Sequence, residues 1–263
     1  MQSENKGQRI AVTGATGRVG SHLVEILAQR GHDVVPIARS RGVDVVSEEG
    51  LDEALVGVET IIDTATGASP DQEEATAFFT VSARNLQRAG AAAGAKRIVV
   101  VSIIGIDKFL GGYNAAKVAQ EQALLEGPLP VRIVRAAQFH EFVEPLVGWT
   151  IQDGVAYVPE MRTQLVGARV VAETLADAAE EPEIENGRIT EVAGPREERL
   201  ADAAAALFAS RGDSFEIRES RGGPLAAPDD PDTAAYAEGA ALPTPGAKLV
   251  GPTFEEWLAV AKV

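Results

Sequence analysis

Five short apolar segments, each rich in valine and isoleucine, alternate with segments of helical periodicity through the first half of the chain. The apolar segments cover residues 10–12, 33–38, 58–63, 97–102 and 131–135. The helical segments between them cover residues 18–29, 48–56, 71–93 and 112–126. Strands that are apolar at nearly every position are buried on both faces, as in a parallel sheet covered by helices. The pattern therefore predicts a doubly wound α/β fold.

The second half of the chain has a less regular pattern. Residues 138–165 predict irregular structure with short strands such as 155–158. The apolar spacing over 168–180 predicts an amphipathic helix. The elements predicted beyond it are a strand at 188–192, a helix at 200–210, a long loop at 220–246 and a final helix at 252–260 with Thr253 as its N-cap.

The composition narrows the classes of protein that the chain can represent. It has 263 residues, of which 45% are hydrophobic, and a formal net charge of −15. The negative charge and the lack of a basic cluster argue against nucleic acid or an anionic membrane as a partner. No apolar run reaches membrane-spanning length, and the polar N-terminus has no signal-peptide core. We therefore expect a cytoplasmic protein, monomeric or homodimeric, that acts on a small molecule.

Cysteine and histidine usage limits the chemistry further. The chain has no cysteine, which excludes disulfides, thiolate metal sites and a cysteine nucleophile. The three histidines, at positions 22, 32 and 140, do not show the spacing of metal ligands. We expect no metal site.

A glycine-rich turn follows the first predicted strand and opens the first predicted helix. Its glycines, Gly14, Gly17 and Gly20, have the spacing Gly-x-x-Gly-x-x-Gly. Strand, glycine turn and helix in this order form the context of a dinucleotide-binding site. Gly14 permits the tight turn, Gly17 lets the backbone approach a pyrophosphate, and Gly20 allows close packing of the helix. The first amides of the helix and the positive end of its dipole would bind the phosphates.

The turn and the helix start supply three further candidate cofactor contacts, Thr16, Arg18 and Val19. The alternative interpretation is a loop that only reverses the chain. The strand before the turn and the helix after it favour the dinucleotide site.

The end of the second predicted strand favours a phosphorylated cofactor. In this type of fold an acidic residue there binds the ribose hydroxyls of NAD, whereas an arginine accommodates the 2′-phosphate of NADP. The chain has Arg39, Ser40 and Arg41 at this place, and guanidinium groups offer paired donors to phosphate. We therefore predict NADP(H), with Asp44 as a candidate for the adenine amino group and Val45 as a further contact. The alternative is that both arginines are ordinary surface residues.

A tyrosine and a lysine form the candidate catalytic pair. Tyr113 and Lys117 lie four residues apart, so they share one face of the fourth predicted helix. A lysine ammonium beside a phenol favours the phenolate, and the phenol can donate its proton to a carbonyl oxygen as hydride reaches the carbon. Lys117 can also bond the nicotinamide ribose. Ser102, at the end of the fourth strand, is the third catalytic candidate. The alternative is a solvated pair of the kind that many helices carry.

These residues resemble those of the atypical short-chain dehydrogenase/reductases, and among them the NmrA-like, NAD(P)H-binding oxidoreductases. The resemblance spans essentially the whole chain. The segments that carry it are Thr13 to Gly20, Ser102, the Tyr113-x-x-x-Lys117 pair, Arg135 to Phe142 and Leu249 to Trp257.

The resemblance implies how the chain is divided. It implies an NAD(P)-binding Rossmann core at residues 1–137 and a small substrate-binding region made mainly from 138–263, with about 164–193 returning to the core. It also implies that the loop after the third strand runs under the cofactor. The cofactor-binding candidates in that loop are Thr64, Ala65 and Thr66.

The chain departs from the family pattern at its serine. In extended members the active serine or threonine often lies one or two positions beyond Ser102, where this chain has Ile103 and Ile104. Because neighbouring strand residues face opposite sides of a sheet, both orientations of Ser102 stay open.

Candidate substrate contacts follow the last core strand, where parallel α/β sheets bind their ligands. Gln138, Phe139 and His140 stand there. Phe139 could line the nicotinamide and His140 could bond a substrate. The alternatives are core packing for Phe139 and a surface position for His140, and we expect Trp149 and Tyr157 in the core of the substrate region.

Three functions are consistent with these residues. The first is an NADPH-dependent oxidoreductase that reduces a small, largely apolar carbonyl or quinone-like substrate, with Tyr113 as proton donor. The second is a non-catalytic NADP(H)-sensing regulator of the NmrA type. The third is an epimerase or dehydratase with a tightly bound cofactor, which would need cations for a second diphosphate, and only Arg162 and Arg169 are candidates for that.

Overall fold

The computed structural model describes residues 7–182, 185–220 and 231–261. Its strands are β1 Arg9–Thr13, β2 Asp33–Ile37, β3 Thr60–Asp63, β4 Arg97–Ile103, β5 Val131–Ala136, β6 Ile151–Gln152, β7 Val155–Pro159, β8 Arg162–Thr163, β9 Arg188–Ala193, β10 Glu198–Arg199, β11 Glu216–Ser220 and β12 Lys248–Leu249. Its α-helices are α1 Arg18–Gln29, α2 Leu51–Ala54, α3 Gln72–Ala93, α4 Gly112–Leu125, α5 Val143–Gly148, α6 Ala168–Glu180, α7 Leu200–Arg211, α8 Pro231–Ala237 and α9 Phe254–Val260.

A seven-stranded parallel sheet confirms the predicted doubly wound α/β class. Its strand order is β12-β9-β5-β4-β3-β1-β2. β1 pairs in parallel with β2 on one side and with β3 on the other. The chain therefore runs outward from β1 to β2 and then returns to the opposite side of β1. In open α/β sheets, ligands bind at such a reversal, outside the carboxyl ends of the strands.

The first of two compact units contains most of this sheet. It comprises Met1–Ser102, Ala115–Val134 and Val171–Thr190. Its core is made of aliphatic side chains, among them Ile61 of β3 and Leu86 of α3, which are both fully buried. Continuous burial along the strands explains why their sequences are apolar at nearly every position.

The second compact unit contains the two smaller sheets. It comprises Ile103–Asn114, Arg135–Val170 and Glu191–Val263. β7 pairs with β6 in antiparallel and with β11 in parallel orientation, and β8 pairs with β10. A separate core forms here around Val158 of β7 and Leu207 of α7. The predicted division placed all of residues 1–137 in the dinucleotide-binding core, whereas Ile103–Asn114 packs with this second unit.

Two predicted elements differ from the observed ones, and some observed strands were not predicted. The helix predicted at 48–56 is shortened to the four residues of α2, because Gly50 is in the left-handed conformation just before it. The loop predicted at 220–246 is wrong in part, because α8 lies within it, while 221–230 lie outside the described residues. β11 follows α7 and was not predicted.

The length and apolar character of the helices can be compared with what a membrane-spanning helix requires. Within residues 7–182, 185–220 and 231–261, none of them has both the length and the apolar character that crossing a bilayer requires. The cytoplasmic location stays a prediction.

His140 and Trp149 do not occupy the surroundings that the sequence predicted. His140 is only 1% exposed, which rules out a surface position, and its ring lies 5.6 Å from that of Phe254 and 5.4 Å from that of Trp257. Trp149 is 56% exposed, so the expectation that it belongs to the core of this unit is wrong. One edge of its indole contacts Phe142.

The burial of His140 generates a prediction about pH-dependent stability. Burial lowers the pKa of His140 from 6.5 to about 4, against a smaller opposing effect of the Leu165 backbone. Between these pH values the unfolded chain binds a proton at this site and the folded chain does not. The free energy of unfolding is therefore unaffected by the titration of His140 above pH 6.5. As the pH falls from 6.5 towards about 4, protonation of this site in the unfolded chain lowers the free energy of unfolding by about 3 kcal/mol in total.

The measurement is the free energy of unfolding by urea across this pH range for the wild type and for His140→Gln, which cannot titrate. We expect the difference between the two proteins to narrow or reverse as the pH falls. A difference that is independent of pH would show that His140 is not kept neutral by burial.

Candidate dinucleotide-binding and catalytic site

The glycine turn lies between β1 and α1, at the reversal of the strand order. Gly14 has φ +64°, and a Cβ there would lie 2.6 Å from the carbonyl oxygen of Thr64. A Cβ on Gly20 would lie 2.2 Å from the carbonyl oxygen of Gly14. At Gly17 a Cβ would meet only the Gly14 oxygen, at 3.1 Å. The first and third glycines thus serve close packing within the turn, while the middle one is exposed and leaves room for a ligand.

The start of α1 is suited to an anion. Gly17 is its N-cap and supplies no side-chain acceptor for the first amides, and the first turn of this 12-residue helix contains no acidic residue. Thr16 and Arg18 are exposed beside these amides. The positive end of the helix dipole and the first amides therefore fit a pyrophosphate. Val19 is buried, so its side chain contributes to packing and only its backbone is available to a cofactor.

The residues after β2 form a short 3₁₀ turn at Arg39–Arg41. All three of its side chains, including that of Ser40, are exposed, as a phosphate site requires. Asp44 has a structural task, because its Oδ1 accepts hydrogen bonds from the amides of Val46, at 2.7 Å, and Ser47, at 3.3 Å.

Val45, predicted as a further contact of the cofactor, has a buried side chain, so only its backbone is available for that contact. It is 7% exposed and belongs to the core of the first unit. Its carbonyl oxygen accepts a hydrogen bond from Asn85 of α3. This packing fixes the segment that follows the arginine turn.

A buried carboxylate joins three of the predicted cofactor-binding segments. Asp63, at the end of β3, is 1% exposed. Its Oδ1 accepts hydrogen bonds from the hydroxyl of Thr13 and, at 3.1 Å, from the amide of Ala65. Its Oδ2 accepts one from Nε2 of Gln120 at 2.8 Å. Asp63 thus connects the strand before the glycine turn, the loop after β3 and helix α4.

The loop after β3 is also bonded directly to β1. The hydroxyl of Thr64 donates to the carbonyl oxygen of Thr13 at 2.6 Å. Thr64 and Ala65 are half-buried, and Thr66 is exposed. Asp63 and Gln120 were missed by the sequence reasoning. The signal for Asp63 was a single acidic residue at the end of an otherwise apolar strand.

Lys117 is the best-anchored of the predicted catalytic residues. It is 5% exposed, and its Nζ donates to the carbonyl oxygen of Val101 at 2.8 Å and to Oε1 of Gln120. The ammonium also lies 4.6 Å from the centre of the Phe79 ring. Burial lowers the pKa of Lys117 to about 8, although the charges of Asp63 and Glu121 oppose the shift. An ammonium has three donors, and two of them are used here.

Tyr113 and Ser102 differ in accessibility. Tyr113 is half-buried, one turn before Lys117 on α4. Ser102 is 3% exposed and its Oγ is enclosed by protein. Lys117 is nearly as buried as Ser102, so this enclosure does not decide the catalytic role of Ser102, which stays a prediction. Ile103, the next strand residue, is more exposed than Ser102, as the alternation along a strand requires.

The predicted substrate segment is fixed by its backbone. The amide of His140 donates to the carbonyl oxygen of Val166, and the amide of Val166 donates to that of Gln138. Gln138 and Phe139 are half-buried and stay candidates for substrate contact. The buried His140 does not fit the predicted substrate hydrogen bond.

Comparison with known proteins was consistent with this geometry. A family described as NAD(P)H-binding matches residues 14–182. The 4-hydroxy-tetrahydrodipicolinate reductase of Natronomonas pharaonis is 29% identical over 160 residues, which cover 59% of this chain and 54% of the relative. The dTDP-4-dehydrorhamnose reductase of Mycolicibacterium smegmatis is 28% identical over 230 residues, covering 78% of this chain and 67% of the relative. The chain thus spans between about half and two thirds of the length of these relatives.

A solved structure shows the same fold. The dTDP-4-dehydrorhamnose reductase from Bacillus anthracis, in complex with NADP, superposes with a TM-score of 0.69 at 17% sequence identity, and the match covers 96% of this chain and 98% of that one. The family match covers more than half of the chain and includes the glycine turn, the loop after β3 and the Tyr113–Lys117 pair. The chain therefore belongs to the NAD(P)H-binding family, in agreement with its resemblance to the atypical short-chain dehydrogenase/reductases.

Proposed function

We propose that the protein is an NADPH-dependent reductase of a small, largely apolar carbonyl or quinone-like compound. The observation that carries the proposal is Lys117, which is buried and held in place four residues after a half-exposed Tyr113 on the same helix. Both relatives described above are named reductases.

Lys117 and Tyr113 have complementary tasks in this proposal. With a pKa of about 8, Lys117 is mostly charged at neutral pH, and its positive charge stabilises the developing phenolate of Tyr113. Tyr113 donates its proton to the carbonyl oxygen. The third donor of Lys117 is available to the ribose next to the nicotinamide. When bound, NADPH supplies the hydride to the carbonyl carbon.

The preference for NADP(H) over NAD(H) rests on the turn after β2. Arg39 and Arg41 are exposed there, and no carboxylate replaces them within residues 38–43. An exposed guanidinium can pair with the 2′-phosphate through two parallel hydrogen bonds. The ribose hydroxyls of NAD would find no acidic acceptor at this turn.

Three arginines of the second unit, among them the candidate Arg162, are paired with carboxylates. Arg162 donates to both carboxylate oxygens of Glu197, at 2.7 and 3.1 Å. Arg196 pairs with Glu255, and Arg211 pairs with Glu144. One of the two candidate cations for a second diphosphate is thus already paired with Glu197, which makes the epimerase alternative less suitable than the reductase.

A second function, that of a non-catalytic NADP(H) sensor, is favoured by one observation. The hydroxyl of Ser102, the serine that accompanies Tyr and Lys in the predicted catalytic set, is enclosed by protein and not exposed towards a substrate. A sensor would bind the cofactor tightly without turnover. Turnover of NADPH by the wild type distinguishes the two functions.

We predict that Tyr113→Phe abolishes most of the reduction of a ketone or quinone panel by NADPH. Loss of a proton donor lowers kcat by about 10²–10⁴-fold. The dissociation constant for NADPH should stay close to that of the wild type. Tyr157→Phe, in β7 of the second unit, is the matched control and should retain activity. Wild-type turnover in Tyr113→Phe would disprove the assigned acid, whereas tight NADPH binding without turnover in the wild type would favour the sensor.

We predict that Arg39→Asp weakens NADPH binding by about 10–100-fold, as expected for the loss of a charge-assisted hydrogen bond. NADH binding should be weakened much less than NADPH binding, because NADH has no 2′-phosphate and an acidic residue at this place can bind its ribose hydroxyls. Calorimetry with both cofactors measures the two effects. The control is Lys96→Asp, which changes the charge equally just before β4, at the amino ends of the strands. If Arg39→Asp weakened the binding of NADPH and of NADH equally, Arg39 would be an ordinary surface residue and not a ligand of the 2′-phosphate.

A further inference from the structure

The segment that leads to Tyr113 is rich in glycine. Gly105 and Gly112 have φ of +74° and +61°, and Gly111 lies between these two, directly before Gly112. Glycine has more conformational freedom in the unfolded and mobile states than any other residue. A loop of this composition therefore needs contacts from elsewhere in the fold to hold one conformation.

Asp232 of α8 supplies such contacts. Its Oδ1 accepts a hydrogen bond from the amide of Leu110 at 2.7 Å, and its Oδ2 accepts one from the amide of Gly111 at 3.0 Å. Asp232 is 8% exposed, so water competes little for these bonds. The carboxylate binds two consecutive amides directly before the start of α4. Asp232 follows these residues by more than 120 positions in the chain, so only the folded structure brings them together.

Tyr236, one turn further along α8, contacts residues on both sides of the two amides that Asp232 binds. Its ring lies 4.3 Å from that of Phe109. Its hydroxyl accepts a hydrogen bond from Nδ2 of Asn114 at 2.7 Å. Asn114 is the residue after Tyr113, and Phe109 is the last residue before the segment that Asp232 binds.

The residues after α8 hold the beginning of the loop. The carbonyl oxygen of Ala240 accepts a bond from Nζ of Lys108 at 3.3 Å. A Cβ on Gly105 would lie 2.0 Å from the same oxygen, so the backbones approach each other too closely for any side chain. The segment from Gly105 to Asn114, which includes the first residues of α4, is thus fixed at its start, middle and end by residues 232–240.

We propose that Asp232 and Tyr236 are positioning residues for Tyr113. They fix the backbone on both sides of the tyrosine and so determine where its hydroxyl stands for proton transfer. This inference rests on the proposed reductase function. Misplacement of a reacting group by about 1 Å can reduce the rate by about 10²-fold, so loss of these contacts should be visible in kcat.

The test compares Asp232→Asn and Tyr236→Phe with the wild type, using NADPH and menadione as the probes. Asparagine keeps the shape of the side chain but removes the charge and one of the two acceptors, and phenylalanine removes only the hydroxyl that Asn114 binds. We expect kcat to fall about ten-fold in each variant. The dissociation constant for NADPH and the Tm should stay close to the wild-type values. Hydrogen exchange of the Leu110 and Gly111 amides should accelerate in Asp232→Asn.

A matched control is Glu191→Gln. Glu191 also uses a carboxylate to hold a backbone amide of the second unit, that of Thr244, at 2.7 Å, but it does not contact the loop. This variant should leave kcat and the exchange at 110–111 unchanged. If it lowered kcat as much as Asp232→Asn does, the effect would come from general loosening and the inference would fail.

Two results would overturn the inference in different ways. If the wild type reduces menadione and Asp232→Asn has the same kcat despite faster exchange at 110–111, the loop does not position Tyr113. If the wild type binds NADPH but reduces neither menadione nor any other carbonyl or quinone, the reductase function itself fails. Should Asp232→Asn not fold, Tyr236→Phe decides the question, because it deletes a single oxygen atom.

Discussion

The carboxylate of Asp63 is the interaction on which the predicted cofactor site depends. A buried carboxylate is costly unless donors replace the water that it loses, and three donors do so here, from Thr13, Ala65 and Gln120. Each donor belongs to a different segment. The need to satisfy one charge therefore fixes the strand before the glycine turn, the loop after β3 and helix α4 with respect to one another.

The same network determines the chemistry of Lys117. Gln120 donates to Asp63 through its nitrogen and accepts from Lys117 through its oxygen, so the orientation of the amide is set by its two neighbours. Burial shifts the pKa of Lys117 to about 8, closer to neutrality than that of an exposed lysine. In the proposed reaction, the charge of Lys117 therefore changes at a pH near that at which Tyr113 would donate its proton.

Tyr113, the other candidate catalytic residue, is positioned by contacts with residues that are distant in the chain. The loop before Tyr113 is rich in glycine, and its conformation is stabilised by contacts with α8 and the residues after it. Bringing residues so far apart in the chain together costs conformational entropy, and interactions within the loop do not offset that cost. The packing of the second unit therefore has to provide these contacts. The two halves of the proposed catalytic pair are thus stabilised by different parts of the chain, although they share one helix.

The amino-acid sequence by itself determined the α/β class, the positions of β1 to β5, the glycine turn and the resemblance to the NAD(P)H-binding family, because apolar periodicity and the demands of glycine are local properties. Its errors concerned burial: His140 is enclosed and Trp149 is exposed. It also missed Asp63, Gln120 and Asp232 as organising residues. Only the tertiary structure decided these points, since burial and the pairing of polar groups depend on segments that are far apart in the chain and meet only when it folds.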